Sequence, residues 1–293
     1  MKLVRYGAPG AERPGLWLDA TASEPARILD VRGMAFDMDD YDARFWRTFG
    51  LDRLRGLLLE KKLKTIPAEG VRLGPPIARP RQIICLDRNF RDHAQEMKMD
   101  TPVSEFPGYF LKSPGALCGP YDSILLRPGM DCVDAEVELA VVIGRRARDV
   151  QEADAWSYVG GLTIMNDVSN RDLQKARPHN FFEKSADTFG PLGPWLVTCD
   201  EIPQPYALTM QQRLNGDVLQ KSSTAHMIFR VEVVLADLTR VMTLEPGDVI
   251  SMGTPGGIGS AHHPPRLLRD GDVVECAIDA LGAQRNSVAM SGG

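Results

Sequence analysis

The sequence predicts a mostly β protein with some α-helix, in which a small α+β unit over residues 1–74 precedes a larger β-rich unit over residues 75–293. Three observations carry this. Short apolar runs separated by turn residues recur through the last three quarters of the chain. One clear helical stretch interrupts them. The segment Leu73-Gly74-Pro75-Pro76-Ile77-Ala78-Arg79-Pro80, with three prolines and a glycine, reads as a stiff connection and sets the boundary.

The first unit is poorly patterned. It offers a strand at Leu3 to Tyr6, a turn at Pro9-Gly10 and a Leu- and Arg-rich helix from about Ala43 to Lys62. Beyond the boundary, strands are predicted at Ile83–Leu86, Gly108–Lys112, Glu136–Ile143, Gly161–Asn166, Trp195–Thr198, Leu208–Leu214, Val249–Met252 and Val273–Ile278. The helix falls near Met227 to Thr239, and Pro246-Gly247 suits a tight turn into the next strand. No fixed-period repeat is present, which argues against solenoids and propellers.

With 293 residues, 43% of them hydrophobic and 25% charged, the chain can bury one sizeable core and a smaller one. The net charge of -5 and the absence of a concentrated basic block argue against nucleic acid or a membrane surface as partner. Lys61, Lys62 and Lys64 read as a solvated face. Five cysteines with no C-x-x-C pair fit neither a disulfide framework nor a zinc site and imply a reducing compartment. The opening Met1-Lys2-Leu3-Val4-Arg5 has no long apolar core and no later run is long enough to span a bilayer, so a cytoplasmic protein is expected.

Glu136 and Glu138 stand two apart at the head of a strand, so alternation puts both carboxylates on one face while Val137 and Leu139 take the other. At a separation of about 6 Å their repulsion is roughly 0.7 kcal/mol in water and about 3 kcal/mol at an effective dielectric of about 20. A shared divalent cation turns that cost into binding energy, and hard oxygen ligands favour magnesium, calcium or manganese over zinc. Two solvated acids on an exposed edge are the other reading. Asp167 ends an apolar strand and is either a third ligand or a helix cap or partner of Arg171. His93 and Glu96, at i and i+3, share one face of a helical turn, where the carboxylate can orient an imidazole acting as general base or simply form a surface pair. Lys184 is a point cation for an oxyanion or a solvated loop lysine.

The glycine-rich Gly253-Thr254-Pro255-Gly256-Gly257-Ile258-Gly259 brings amides and a hydroxyl to one loop. It matches neither the phosphate-loop nor the dinucleotide fingerprint. No G-x-S-x-G or H-E-x-x-H is present, against serine hydrolase and zinc protease chemistry. His179, His226, His262 and His263 have no interpretable partner spacing.

In order along residues 76 to 290, a set of these segments closely resembles the catalytic domain of the fumarylacetoacetate hydrolase family. They are Asn89-Phe90-Arg91-Asp92-His93-Ala94-Gln95-Glu96, Phe110-Leu111-Lys112, Glu136-Val137-Glu138-Leu139, Asn166-Asp167-Val168-Ser169-Asn170-Arg171-Asp172-Leu173-Gln174, Asp187-Thr188-Phe189-Gly190-Pro191, Leu244-Glu245-Pro246-Gly247-Asp248 and Gly253-Thr254-Pro255. Arg5-Tyr6-Gly7 and the short first unit also look like the bacterial branch handling diketo-deoxy sugar acids.

The resemblance implies a mixed β-roll or β-sandwich catalytic domain, a homodimer, and Mg2+, Mn2+ or Ca2+ held by Glu136, Glu138 and Asp167. It further implies a His93–Glu96 dyad on a lid segment and substrate contacts from Lys184, Gln174, Gly253, Thr254 and the Phe90 position. The implied partner is a small 2-oxo acid, and the implied reaction is hydrolysis of a carbon-carbon bond in a 2,4-dioxo acid to give pyruvate and a carboxylic acid. The same enolate chemistry also serves dehydration or lysis of a 2-oxo-3-deoxy sugar acid, and a non-catalytic member is the remaining reading. Where the family commonly shows Gly-x-Asn-Tyr, this chain has Asp87-Arg88-Asn89-Phe90, which replaces a phenol by a phenyl ring and removes a hydrogen bond to substrate. Asp87 is left to contact Arg88 or to stand behind the metal. The individual segment Lys175 to Phe182 is a place for substrate selectivity.

Overall fold

A computed structural model describes residues 1–96, 105–177 and 180–291. Its main sheet has 12 strands. From one edge the main path runs Thr65–Pro67, Arg27–Asp30, Arg13–Leu18, Lys2–Tyr6, Gly190–Val197, Val159–Asn166, Val137–Ile143, Val249–Ser251, Ile83–Asp87 and Gly108–Lys112. A 5-stranded sheet contains Asp217–Ser223, Thr209–Leu214, Val273–Ile278, Gly282–Met290 and Ile124–Leu126. The mostly β class with several sheets is the one the apolar runs predict.

The strand Val137–Ile143 lies deep in the main sheet and is buried along its whole length. Its odd-numbered residues Val137, Leu139, Val141 and Ile143 join the larger apolar core. On the opposite face Ala140 and Val142 join a second core with Leu3, Leu16, Phe45 and Trp46 from the amino-terminal residues. Burial on both faces explains why the run reads as continuously apolar once past Glu138. The reading of two solvated acids on an exposed edge is therefore corrected: Glu136 and Glu138 are 4% and 1% exposed.

Residues 1–74 carry more strand than their pattern suggests: Lys2–Tyr6, Arg13–Leu18, Arg27–Asp30, Thr65–Pro67 and Leu73–Gly74. They continue the main sheet, because Lys2 and Leu3 pair antiparallel with Val197 and Leu196. The helix expected over Ala43 to Lys62 is two shorter ones, Ala43–Arg47 and Gly50–Leu57. Phe49 between them takes a left-handed φ of 56°, and the α-carbon of Gly50 packs so close to the Phe45 ring that a β-carbon there would lie 2.3 Å from it. The helix expected near Met227 to Thr239 starts later, at Val231–Val241. Among the described residues no helix is long and apolar enough to cross a membrane, and the five cysteines are free.

Candidate active site

Sheet register assembles the acidic cluster. Val137 pairs with Asn166 in the antiparallel ladder, and the Asp167 amide donates to the Glu136 carbonyl at 2.9 Å, so Asp167 stands across from Glu136. Glu138 lies two residues along on the same face. The three carboxylates each offer an oxygen within 4.8 Å of the others, all in buried residues. Three like charges in that space oppose folding unless cations answer them.

Protein cations answer part of the charge. Lys184 Nζ donates to Glu136 Oε2 and Asp167 Oδ2, both at 2.7 Å. Arg171 pairs with Glu136 and, at 2.7 Å, with Asp134. Lys112, a fully buried lysine, lies 2.8 Å from Asp167 Oδ1 and donates to the carbonyls of Lys184 and Phe189. Burial alone would push Glu136 up, yet Lys184 and Arg171 hold it well below the usual carboxylate range. Burial likewise disfavours the Lys184 ammonium, but Asp167 and Glu136 outweigh it and raise its proton affinity.

Glu138 differs. Its Oε2 accepts from Ser251 Oγ at 2.6 Å and Gly253 N at 3.0 Å. Burial first, then the charges of Asp167 and Glu136, push it well above the ordinary value.

These residues fit a divalent ion. Asp167 Oδ1 is buried and accepts no hydrogen bond in good geometry. The donors are all carboxylate oxygens, and their spacing suits one ion, since oxygens on opposite sides of a divalent cation lie about 4 Å apart for magnesium and about 5 Å for calcium.

A cavity of about 310 Å³ opens onto this floor. Glu136, Glu138, Asp167, Lys184, Arg171, Gln174, His93 and Thr254 all line it. Most of the residues singled out in the sequence thus meet in one place. His93 belongs to the short helix Arg91–Glu96 and its Nδ1 lies 3.2 Å from Glu96 Oε2. Glu96 Oε1 accepts from Gly257 N at 2.9 Å. Burial would raise the Glu96 carboxyl, but the hydrogen bonds from His93 and Gly257 bring it below its ordinary value. The helix is anchored at both sides: Asp92 accepts from Ser222 Oγ at 2.7 Å, and Asn89 holds Phe229 and the Met252 carbonyl.

Gln174 lies on the helix Arg171–Ala176, capped by Asn170, whose Oδ1 accepts from the amides of Asp172 and Leu173 at 3.0 and 3.2 Å. One turn of spacing lets Arg171 reach Gln174 Oε1 at 3.1 Å.

Three expected substrate contacts have other work. Phe90 is 0% exposed, sits in the larger apolar core and does not line the cavity. Gly253, also off the lining, gives its amide to Glu138; its φ is 85°, and a β-carbon there would lie 2.9 Å from Asn89 Cβ, so only glycine suits the position. Thr254 lines the cavity, but its hydroxyl donates to the Val137 carbonyl at 3.0 Å and accepts from Gln220 at 2.8 Å, leaving no proton for a ligand. Asp87 pairs with Arg88 at 2.7 Å and both line the cavity. From the segment Lys175 to Phe182, Asn180 also reaches the lining, whereas Pro178 and His179 lie outside the described residues.

Lys112 and Arg171, which complete the charge balance, fall inside segments that carry the family resemblance, but their residue types alone do not set them apart from solvated cations. Their signal in the sequence is weak: a lysine ending an apolar strand, and an arginine four residues after Asp167.

Comparison with known proteins places the chain in a family. Residues 82–289 match the model for the C-terminal domain of fumarylacetoacetate hydrolases. The chain is 37% identical to the mitochondrial oxaloacetate tautomerase Fahd2a of Rattus norvegicus, over 98% of this chain and 91% of that one. The structure of 5-carboxymethyl-2-hydroxymuconate delta-isomerase from Mycobacterium smegmatis aligns with a TM-score of 0.78 and 31% identity, covering 100% of both chains. Maleylpyruvate hydrolase from Sphingobium sp. SYK-6, solved with manganese(II) and pyruvate, aligns with a TM-score of 0.81 and 30% identity, also over 100% of both. With the matched domain covering most of its length and the acidic trio at its centre, the chain belongs to the fumarylacetoacetate hydrolase family, whose members include a hydrolase, an isomerase and a tautomerase.

Proposed function

We propose that this protein is a metal-dependent hydrolase that splits a 2,4-dioxo acid into pyruvate and a carboxylic acid. The observation that carries the reading is a His93–Glu96 dyad opening onto the same cavity as a trio of buried carboxylates. A divalent cation such as manganese or magnesium, held by Glu136, Glu138 and Asp167, would supply positive charge that favours the enolate over the ketone.

The chain's own groups account for the rest. Glu96, held by the Gly257 amide, fixes the imidazole through Nδ1 and leaves Nε2 to take a proton from water. The resulting hydroxide adds to C4 of the substrate. The C3–C4 bond then breaks, its electron pair passing into the enolate of pyruvate and the C4 carbonyl becoming the carboxylic acid. Return of a proton to C3 gives pyruvate. Lys184, kept charged by Asp167 and Glu136, and Gln174 face the cavity as groups able to stabilise the developing oxyanion. Exclusion of bulk water follows from burial of the floor.

A second reading is tautomerisation of a 2-oxo acid, favoured by the 37% identity to an oxaloacetate tautomerase. There His93 would move the C3 proton and no water would be consumed. Incubation of metal-stripped protein with 2,4-dioxo acids, with and without manganese, separates the two by mass and pyruvate release. Metal-dependent pyruvate is expected. An intact carbon skeleton, with accelerated keto–enol exchange of oxaloacetate, would replace hydrolysis by tautomerisation.

A further inference from the structure

The strand Val137–Ile143 is paired along its whole length by Val159–Asn166 on one side, but on the other side its ladder is shorter. There Val249–Ser251 pairs with Ala140–Val142, and the Met252 amide adds one bond to the Leu139 carbonyl at 2.9 Å. The next amide, that of Gly253, turns to the Glu138 carboxylate at 3.0 Å. Continued in the same register, the ladder would set Thr254 against Val137. It ends short of that point. Val137 is thus left between the two glutamates of the trio with its N–H and C=O both turned to the unpaired side.

Side chains finish the ladder. The Thr254 hydroxyl donates to the Val137 carbonyl, and the Gln220 carboxamide oxygen accepts from the Val137 amide, both at 3.0 Å. Gln220 Nε2 gives its two protons to Thr254 Oγ1 and the Pro255 carbonyl, each at 2.8 Å, so both ends of this fully buried carboxamide are engaged. Gln220 belongs to the strand Asp217–Ser223 of the 5-stranded sheet, where it pairs with Gln212. That strand is pressed against the glycine-rich loop. A β-carbon on Gly257, whose φ is 94°, would lie 2.1 Å from the Leu219 carbonyl oxygen. One sheet therefore braces the exposed strand end of the other.

We infer that Gln220 is a positioning residue for the metal centre: through Val137, and with Thr254 as its second arm, it fixes the spacing of Glu136 and Glu138. The inference deepens the proposed function and rests on its premise that the carboxylate trio holds a divalent ion. Gln220 does not line the cavity, and its hydrogen bonds go to Val137, Thr254 and Pro255 rather than to the carboxylates themselves. Repulsion between two buried carboxylates pushes a strand end apart, while an ion shared by them needs their oxygens placed to within about 0.2 Å. Loss of the carboxamide leaves the Val137 amide buried without a partner and the strand end free to turn a glutamate away.

The test is calorimetric and needs no turnover. Manganese(II) is titrated into chelator-stripped wild type and the variants Gln220→Met, Thr254→Val, Thr254→Ser and Gln284→Met, with melts in chelator beside each. Gln284 is the matched control: it is equally buried and its Nε2 donates to the carbonyls of Ile164, Pro191 and Gly193, none of which adjoins a carboxylate of the trio. Gln220→Met is expected to weaken manganese binding about ten- to hundredfold, Thr254→Val less, and Thr254→Ser, which keeps the hydroxyl, to stay within about twofold of wild type. Gln284→Met should melt earlier yet also bind within about twofold. Manganese affinity of Gln220→Met within about twofold of wild type, or lowered no further than in Gln284→Met, overturns the inference. If Gln220→Met does not fold, the threonine pair decides, and wild-type affinity in Thr254→Val overturns it. Wild type that binds no manganese removes the inference and the metal-dependent reading together. The expected order of affinities, with no 2,4-dioxo acid cleaved, upholds the inference and removes only hydrolysis.

Discussion

The floor of the cavity rests on paired interior strands, whereas its mouth is built from the end of a strand, a turn and a six-residue helix. Floor carboxylates find their cations far away in sequence: Glu136 meets Lys184 and Arg171, and Asp167 meets Lys112 and Lys184. Mouth residues find theirs close by, Asp87 beside Arg88 and His93 three residues before Glu96. Moving a floor group means shifting the register of two strands, which would reverse every side chain on them. A change at the mouth touches one turn. Under the proposed function, the floor fixes the metal chemistry and the mouth is where a change of substrate disturbs the fold least.

The largest effect is expected at the floor. Asp167→Asn removes a candidate metal ligand and the counter-charge of two buried lysines, so it should abolish manganese binding and destabilise the metal-free protein by about 3–5 kcal/mol. Glu138→Gln should also abolish manganese binding but leave metal-free stability nearly unchanged, because the neutral amide resembles the protonated carboxyl that burial and two neighbouring acids favour. Calorimetry with manganese and thermal melts in chelator measure both. Equal destabilisation by the two substitutions would break the contrast between a paired and an unpaired floor acid.

At the mouth, His93→Ala should lower kcat by about 10²- to 10⁴-fold while leaving manganese affinity near wild type. A steady-state assay beside a metal titration checks this. Wild-type activity in His93→Ala would remove the base from the mechanism, and loss of metal binding would show that the mouth and the floor are not independent.

A smaller effect tests the charge state of Glu138. In the metal-free protein its carboxyl holds a proton more tightly than the same residue in the unfolded chain, whose ordinary value is 4.5. The unfolded chain therefore releases that proton first as pH rises. The stability owed to the protonated carboxyl is fully present below pH 4.5 and is lost as pH rises through the higher folded value. Melts of the chelated protein from acid to neutral pH should show this decline in wild type and a flatter profile in Glu138→Gln. Manganese binding should release a proton and tighten with pH. Identical profiles for the two proteins would mean that Glu138 is ionised without metal.

How much of this was legible follows the same division. The strand Val137–Ile143 is visible because seven consecutive apolar or acidic residues after a turn leave little else for the chain to form, and Glu136 and Glu138 fall on one face by alternation alone. The His93–Glu96 contact is legible because i,i+3 spacing needs only local helix. That Asp167 stands across from Glu136 depends on register between distant strands, and one sequence does not state it. Lys112 and Arg171 are hidden for the same reason, as a cation is recognised as structural only once its anions are in place. In residues 1–74, Arg13–Leu18 and Arg27–Asp30 are not legible because proline, glycine and charge break their alternation, and they form by adding to an existing sheet.

Phe90 gives the smallest expected change and the closest check on where the mouth ends. The family resemblance implies a ring at the substrate, lacking the phenol oxygen of the motif, yet the side chain is wholly buried among apolar residues such as Leu86 and Met227. Its backbone bridges to Met227, which ties the turn to the helix-bearing side of the core. If this burial is the whole of its role, Phe90→Tyr places a hydroxyl where no partner is provided, at a cost of about 1–3 kcal/mol, and changes kcat/KM by less than about twofold. A melt and a steady-state assay read the two quantities together. A gain in kcat/KM at unchanged stability would mean that the new hydroxyl reaches the cavity, and the boundary between core and mouth would then lie one residue nearer the core than Asn89.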